Sequence, residues 1–125
     1  MRYILRAAKG DGLIRVIDDQ VGCPTYSHHL SEAIERLVDA QARGICHFTN
    51  SGPCTRFEMA RYILERAGHD TARLMAIKSS ELPWVAARPP HNVLSTAKYA
   101  AATGAAPPHW HDAVDDALRR DGMLR

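Results

Sequence analysis

Residues 16–26 read V-I-D-D-Q-V-G-C-P-T-Y. The pattern predicts a short strand over residues 13–17 that runs into a polar turn carrying Gly22 and Pro24, followed by a helix that begins near Ser27. Two carboxylates and a carboxamide at the end of a strand are poorly placed for a core. They are well placed to line a ligand crevice, because loops at the strand ends of α/β folds often carry function. A solvated turn that merely reverses the chain would explain the same residues, so both interpretations stay open at this point.

The helix after this turn is predicted to be amphipathic. Apolar residues recur at intervals of three and four after Ser27, and the pattern ends before Gly44. The positions predicted to face the core are Leu30, Ala33, Ile34, Leu37 and Val38.

Four more helices are predicted from the same periodicity. One opens the chain and ends at Gly10, one begins with the capping-box pair Thr55 and Glu58, one is Ala-rich and ends at Gly104, and the last follows residues 107–108. In the second and fourth of these, the positions predicted to be buried are Ala60, Ile63, Leu64, Ala67, Trp110, Ala113, Val114, Ala117 and Leu118.

Short strands complete the pattern over residues 45–49 and 74–77, and residues 80–85 are expected to form a turn or short helix that holds Trp84. The predicted fold class is therefore α/β, with more helix than sheet and with short strands. The length fits a single domain over residues 1–125.

The composition is that of an ordinary globular protein, with 46% hydrophobic and 24% charged residues. The formal net charge is only +2, and 16 basic residues are scattered among 14 acidic ones, which argues against a nucleic-acid or membrane-surface protein. No apolar run approaches the length of a membrane span, and no secretion signal is recognisable. Three cysteines without CxxC spacing favour a reduced, cytoplasmic protein.

The sequence gives little support for a metal site or for a nucleophilic cysteine. The seven histidines include a neighbouring pair, His28 and His29, and a pair two apart, His109 and His111, and neither pair is joined by Cys or Glu at ligand spacing. They are expected to be surface or cap residues. Cys23 follows a glycine at a helix approach, which could lower a thiol pKa, but no base supports it, so a small semi-buried cysteine is the better interpretation.

Arg88 is a stronger candidate. Pro89 and Pro90 follow it and restrict the backbone to an extended conformation, and its guanidinium fork suits a phosphate or a carboxylate. An ion pair with a nearby acidic residue would explain it equally well. His91 and Asn92 follow Arg88 closely and could line the same polar site.

Two motifs of nicotinamide-dependent reductases are missing from the sequence. There is no GxxGxxG or GxGxxG turn for a dinucleotide. No tyrosine is followed four residues later by lysine, and the nearest approach is Tyr62 with Arg66.

Four blocks together resemble the C-terminal half of dTDP-4-dehydrorhamnose reductases, which are extended short-chain dehydrogenase/reductase proteins. They are V-I-D-D-Q-V-G-C-P-T-Y, G-I-C-H-F-T-N-S-G-P-C-T-R-F-E-M-A, R-P-P-H-N-V-L-S-T-A-K and P-P-H-W-H-D-A-V. They occur in the family's order, and the resemblance covers residues 1–118.

The resemblance implies the small substrate-binding domain of a Rossmann-type reductase without its dinucleotide-binding half. Catalytic and cofactor-binding residues would lie outside this chain, so the chain alone would bind no cofactor, and NAD(P)H would belong to the full-length enzyme. The implied substrate-binding residues are Gln20, Gly22, Pro24, Thr25, Arg88, Pro89 and Asn92, with Arg88 and Pro89 approaching the phosphates of a dTDP-sugar nucleotide.

Three interpretations follow. The chain is the substrate-binding portion of such a reductase, inactive alone, which pairs with a separate Rossmann half or a homodimer partner and exposes an apolar face where that half would pack. Alternatively, it is a non-catalytic regulatory or interaction module derived from the family. The third possibility is a remnant of a disrupted gene.

Overall fold

The computed structural model describes residues 1–83 and 88–124. In these residues the helices are α1 Arg2–Ala8, α2 Ser27–Asp39, α3 Arg56–Arg66, α4 Ala97–Thr103 and α5 Trp110–Arg120. The strands are β1 Ile14–Ile17, β2 Val21–Gly22, β3 Cys54–Thr55, β4 Leu74–Ile77 and β5 His91–Asn92, and Ser79–Glu81 forms a 3₁₀ turn. The α/β class and all five predicted helices are confirmed, as are the strands predicted over residues 13–17 and 74–77.

The strands form two small sheets. β1 and β4 pair in parallel, with Ile14 opposite Leu74 and Ile17 opposite Ile77. The second sheet has the order β3-β2-β5, with β2 antiparallel to β3 and parallel to β5. The sequence did not predict β2, β3 and β5, because two residues are too few to show the alternation that marks a strand.

The core lies between α3, α5, α1 and β1. Ile63, Leu64 and Leu118 are fully buried at its centre, and Trp110 packs with them. Every position predicted to be buried in α3 and α5 is buried, so these two apolar stripes were identified correctly.

α3 begins with the predicted capping box. The Thr55 hydroxyl accepts a hydrogen bond from the Glu58 amide at 3.0 Å, and the Glu58 carboxylate accepts one from the Thr55 amide at 2.7 Å. A bidentate ion pair then joins α3 to α5, because Arg66 donates to both oxygens of Asp115 at 2.7 and 2.8 Å. The Tyr62 hydroxyl donates to the same carboxylate at 3.2 Å. The Tyr62 and Arg66 positions therefore serve helix packing.

The prediction for the inner face of α2 is wrong in part. His29 and Ala33 are the buried residues of this helix, whereas Ile34 is 53% exposed and Val38 is 68% exposed. Leu30 is exposed as well. The apolar stripe is real, but α2 turns a different side towards the described part of the chain, and the stripe faces outward.

The strand predicted over residues 45–49 is not formed. Ile45 is 80% exposed, and its carbonyl accepts a hydrogen bond from the Lys98 ammonium at 2.7 Å instead of a strand partner. Phe48 packs against Tyr99 of α4 with ring centroids 4.9 Å apart. The segment is thus held by side chains. The prediction for residues 80–85 lies partly outside the described residues, since Trp84 and Val85 fall in the gap.

One glycine is required by the packing around α5. Gly52 has a φ of +82°, and a Cβ placed there would lie 2.1 Å from Nε2 of His109. His109 in turn caps α5, its ring accepting a hydrogen bond from the His111 amide at 3.2 Å. Any side chain at position 52 would displace this cap.

In residues 1–83 and 88–124, no helix has both the length and the apolar character needed to cross a membrane.

Candidate functional site

The candidate site is a cavity where the three-stranded sheet joins parts of the chain that are distant in sequence. Gly22 of β2 lies opposite Cys54 of β3 on one side and opposite Asn92 of β5 on the other. The Val21 amide also donates to the Pro90 carbonyl at 2.8 Å. This register brings the residue 16–26 stretch and the segment that begins at residue 88 to the same place.

The cavity has a volume of about 330 Å³. The described residues that line it are Gln20, Val21, Gly22, Cys23, Pro24, Cys54, Thr55, Arg56, Met59, Arg88, Pro89 and Asn92. They include six of the seven substrate-binding residues implied by the resemblance. The seventh, Thr25, is exposed beside Pro24 and does not line the cavity.

The described wall of the cavity is positively charged. It carries two guanidinium groups, those of Arg56 and Arg88, and none of its described residues is acidic. Arg56 is the first residue of α3, where the helix dipole adds further positive potential. Sequence analysis missed Arg56, although its position directly after the Thr55 cap, in one of the four blocks, was a usable signal. Two arginines that line the same cavity suit a phosphate or diphosphate group.

Gln20 contributes an unused hydrogen-bond donor. Its Nε2 is buried and has no hydrogen-bond partner among the described residues. A buried amide NH₂ without an acceptor costs about 1–3 kcal/mol, and such a group in a native structure needs an explanation. A ligand oxygen in the adjoining cavity would supply the missing acceptor.

The two carboxylates before Gln20 do not line the cavity, so the expectation that they face a ligand crevice is wrong. Asp19 accepts hydrogen bonds from the amide of Ser79 at 2.9 Å and from its hydroxyl at 2.9 Å, and the backbone hydrogen bond is the main reason why the pKa of Asp19 is lowered. Asp18 accepts from the Lys78 ammonium at 2.8 Å. Both acids therefore fasten the end of β1 to the turn after β4.

The two thiols of the cavity differ in environment. Cys23 is half-buried, whereas Cys54 is buried and belongs to the core cluster. Burial, with smaller contributions from the nearby Glu58 and Cys23, raises the pKa of Cys54 to about 12. Cys54 is thus a protonated, inert thiol at neutral pH.

We expect only two of the three thiols to react with a disulfide reagent in the folded protein. At pH 8 a thiol with a pKa of about 12 is ionised to only about one part in ten thousand, and only the thiolate attacks. Thiol titration should show Cys23 and Cys46 reacting first and Cys54 only after unfolding. Cys46→Ala should reduce the early thiols from two to one and Cys54→Ala should leave them at two. Three thiols that react at one rate would contradict this assignment.

The histidines are placed mostly as expected. His28 is exposed and pairs with Glu32 at 3.4 Å, and His109 is a helix cap. His29 is the exception, because only 7% of it is exposed. Within the part of the chain that the structure describes, no three His, Cys, Asp or Glu side chains gather where they could hold a metal ion.

Known proteins share both the sequence and the fold of this chain. The RmlD substrate binding domain family matches residues 1–123. A dTDP-4-dehydrorhamnose reductase of Mycobacterium tuberculosis (strain ATCC 25618 / H37Rv) is 39% identical over 114 residues, which are 90% of this chain and 38% of that protein.

Two solved structures of such reductases have a similar fold over the length of this chain. The dTDP-4-dehydrorhamnose reductase of Bacillus anthracis, solved in complex with NADP, is 26% identical and superposes with a TM-score of 0.83 over 95% of this chain and 41% of its own. An orthologue from Clostridium acetobutylicum, 24% identical, reaches a TM-score of 0.90 over 98% of this chain and 43% of its own. The chain thus spans about two fifths of the length of these relatives. On the family match, this protein belongs to the RmlD substrate binding domain family.

Proposed function

We propose that this chain is a single substrate-binding domain, residues 1–125, of a dTDP-4-dehydrorhamnose reductase, and that the cavity beside its three-stranded sheet holds the dTDP part of the sugar nucleotide. The observation that carries the proposal is that Arg56 and Arg88 line one cavity together with Gln20, whose buried amide Nε2 has no hydrogen-bond partner among the described residues. The guanidinium groups would bind the diphosphate, and Gln20 would donate to a ligand oxygen.

Glycine at position 22 supports this use of the cavity. A Cβ at Gly22 would lie 3.5 Å from the Asn92 carbonyl oxygen, an ordinary contact, and its φ is not in the left-handed region. The fold around β2 therefore does not require glycine. A bare backbone on the cavity wall lets a ligand approach closely, as a bulky phosphate-bearing group would need.

The chain itself does not fit a nicotinamide dinucleotide. A pyrophosphate site would need a glycine turn and a helix N-terminus directly after a parallel strand. Here the parallel strand β1 is followed by Asp18 and Asp19, whose carboxylates accept hydrogen bonds from residues 78–79. We expect NADP(H) to bind in a dinucleotide-binding half that is not part of these residues. That half would also cover the apolar stripe of α2, since exposed apolar patches mark interaction surfaces. The unpaired cysteines fit a cytoplasmic setting.

The proposal predicts that Arg88→Ala and Arg56→Ala each weaken binding of dTDP by about ten- to a hundredfold. Each loses charge-assisted hydrogen bonds to a phosphate, which contribute about 1.5–3 kcal/mol. Calorimetric titration of dTDP into the purified chain measures this directly.

Arg61→Ala is the matched control, because Arg61 is an exposed arginine on the same helix that does not line the cavity. It should bind dTDP as the wild type does. A folded wild-type chain that binds no dTDP would favour the interaction module instead, and binding that both cavity variants retain would place the nucleotide elsewhere.

A further inference from the structure

Asn50 is a fully buried polar residue that holds the turn beside the cavity at two points. Its backbone amide donates to the Pro24 carbonyl at 3.2 Å, and its side-chain oxygen accepts from the Tyr26 amide at 2.9 Å. Pro24 lines the cavity, and Thr25 lies between the two bonds. The conformation of the turn over residues 24–26 thus depends on Asn50.

The Tyr26 amide also decides which way the Asn50 carboxamide points. A backbone N–H can only donate, so the Asn50 atom that faces it must be the oxygen. The NH₂ group then faces the other way, towards the Pro108 carbonyl at 3.1 Å and Nδ1 of His29 at 2.8 Å. Both of these atoms must act as acceptors.

This orientation fixes the protonation of His29. Nδ1 must carry a lone pair to accept from Asn50, so the proton of the neutral ring is on Nε2, which lies 3.3 Å from Oδ2 of Asp116. A second proton, on Nδ1, would place an N–H against the NH₂ of Asn50. The hydrogen bond between the two residues cannot survive that proton.

The charges around His29 are few. Asp116 of α5 is the acid that faces it, and the other oxygen of Asp116 pairs with Arg119 at 2.5 Å. The Tyr26 ring packs edge-on against it at 5.1 Å, and the neighbouring His28 pairs with Glu32 on the outer side of α2.

We propose that Asn50 is a positioning residue that holds the turn over residues 24–26 in its ligand-ready shape only while His29 is neutral. Acidification should therefore loosen the turn and weaken binding in the cavity. The effect on the turn stands by itself, and the effect on dTDP-sugars rests on the function proposed above.

The hydrogen bonds by which Asn50 holds residues 24–26, called the Asn50 clamp below, are tested first in the ligand-free wild-type chain. At pH 7.5, ¹⁵N NMR of the imidazoles should show His29 as the Nε2–H tautomer. Lowering the pH should reduce the protection factor of the Tyr26 amide, which is its hydrogen exchange corrected for the intrinsic pH dependence of amide exchange, as the ring takes up its second proton. Asn50→Ala should speed that exchange about tenfold or more at pH 7.5. A His29 with the proton on Nδ1, or a Tyr26 amide that exchanges equally fast in Asn50→Ala, would overturn the proposal.

Asn50→Asp separates this role from a general loss of stability. Its carboxylate still accepts from Tyr26 but now also accepts from His29, so the charged imidazole becomes the matched partner. Relative to its own value at pH 7.5, the protection factor of the Tyr26 amide should rise on acidification, the reverse of the wild type. The same direction of change in both proteins would contradict the clamp.

Binding of dTDP-glucose between pH 7.5 and pH 5.5 extends the test to the cavity, since its diphosphate diester does not titrate in this range. Affinity should fall about five- to tenfold in the wild type and in the control His28→Gln, and stay constant in His29→Gln. A wild-type chain that binds no dTDP-glucose refutes the proposed function, while the tautomer and the exchange rates still decide the clamp. Equal pH dependence in wild type and His29→Gln would refute the link between them.

Discussion

Leu118→Ala is expected to lower the free energy of unfolding by about 3–5 kcal/mol, which is a large part of the stability of a small domain. Leu118 is fully buried on α5, in the core cluster that includes Leu64 of α3 and Ile14 of β1. The removed methyl groups would leave a cavity that these rigid neighbours cannot fill. Urea unfolding followed by circular dichroism measures the change.

Leu13→Ala is the matched control, because the same atoms are removed from a leucine that is 63% exposed. Its unfolding free energy should change by less than about 0.5 kcal/mol. Equal effects at the two positions would mean that α5 does not pack in solution as described here.

The contrast between α5 and α2 shows where sequence patterns succeed. Both helices have a clear apolar stripe, and on α5 every predicted position is buried. On α2 Ala33 is buried as predicted, but Leu30, Ile34 and Val38 are exposed, since periodicity identifies an apolar face without naming what covers it. The partner of such a face can lie outside the sequence being read. The exposed Ile34 and Val38 are thus consistent with the apolar face expected from the resemblance.

The candidate site was predictable to a similar extent. Residues of three of the four blocks converge on one cavity, but periodicity could not show this, because two-residue strands made the connection. For Asp18 and Asp19 the sequence could not decide between a ligand site and a turn, since a carboxylate at a strand end serves either. The buried Nε2 of Gln20 and the Asn50 clamp depend on side-chain orientation, which no spacing rule gives.

The largest functional effect is expected when this chain is joined to a dinucleotide-binding half. Fused in place of the matched segment of the Mycobacterium tuberculosis reductase, it should support oxidation of a reduced nicotinamide that depends on dTDP-4-dehydrorhamnose. The isolated chain should give no turnover, because hydride transfer needs the bound nicotinamide. Both expectations are measured by the loss of reduced-nicotinamide absorbance and by the amount of reduced sugar formed. Arg88→Ala in the fusion should raise KM for the sugar nucleotide.

If the dinucleotide-binding half packs on the stripe of α2, as proposed above, charged residues in the stripe should separate the two halves of the fusion. Ile34→Glu with Val38→Glu would bury two unpaired charges against the dinucleotide-binding half, so the activity of the fusion should fall by about a hundredfold or more. Glu35→Lys is the control, since it changes the charge of the same helix at an exposed position beside the stripe, and it should leave most activity intact. If the double variant keeps full activity, the stripe faces another partner. If the unaltered fusion folds and binds dTDP but transfers no hydride, the interaction module becomes the better account of this chain.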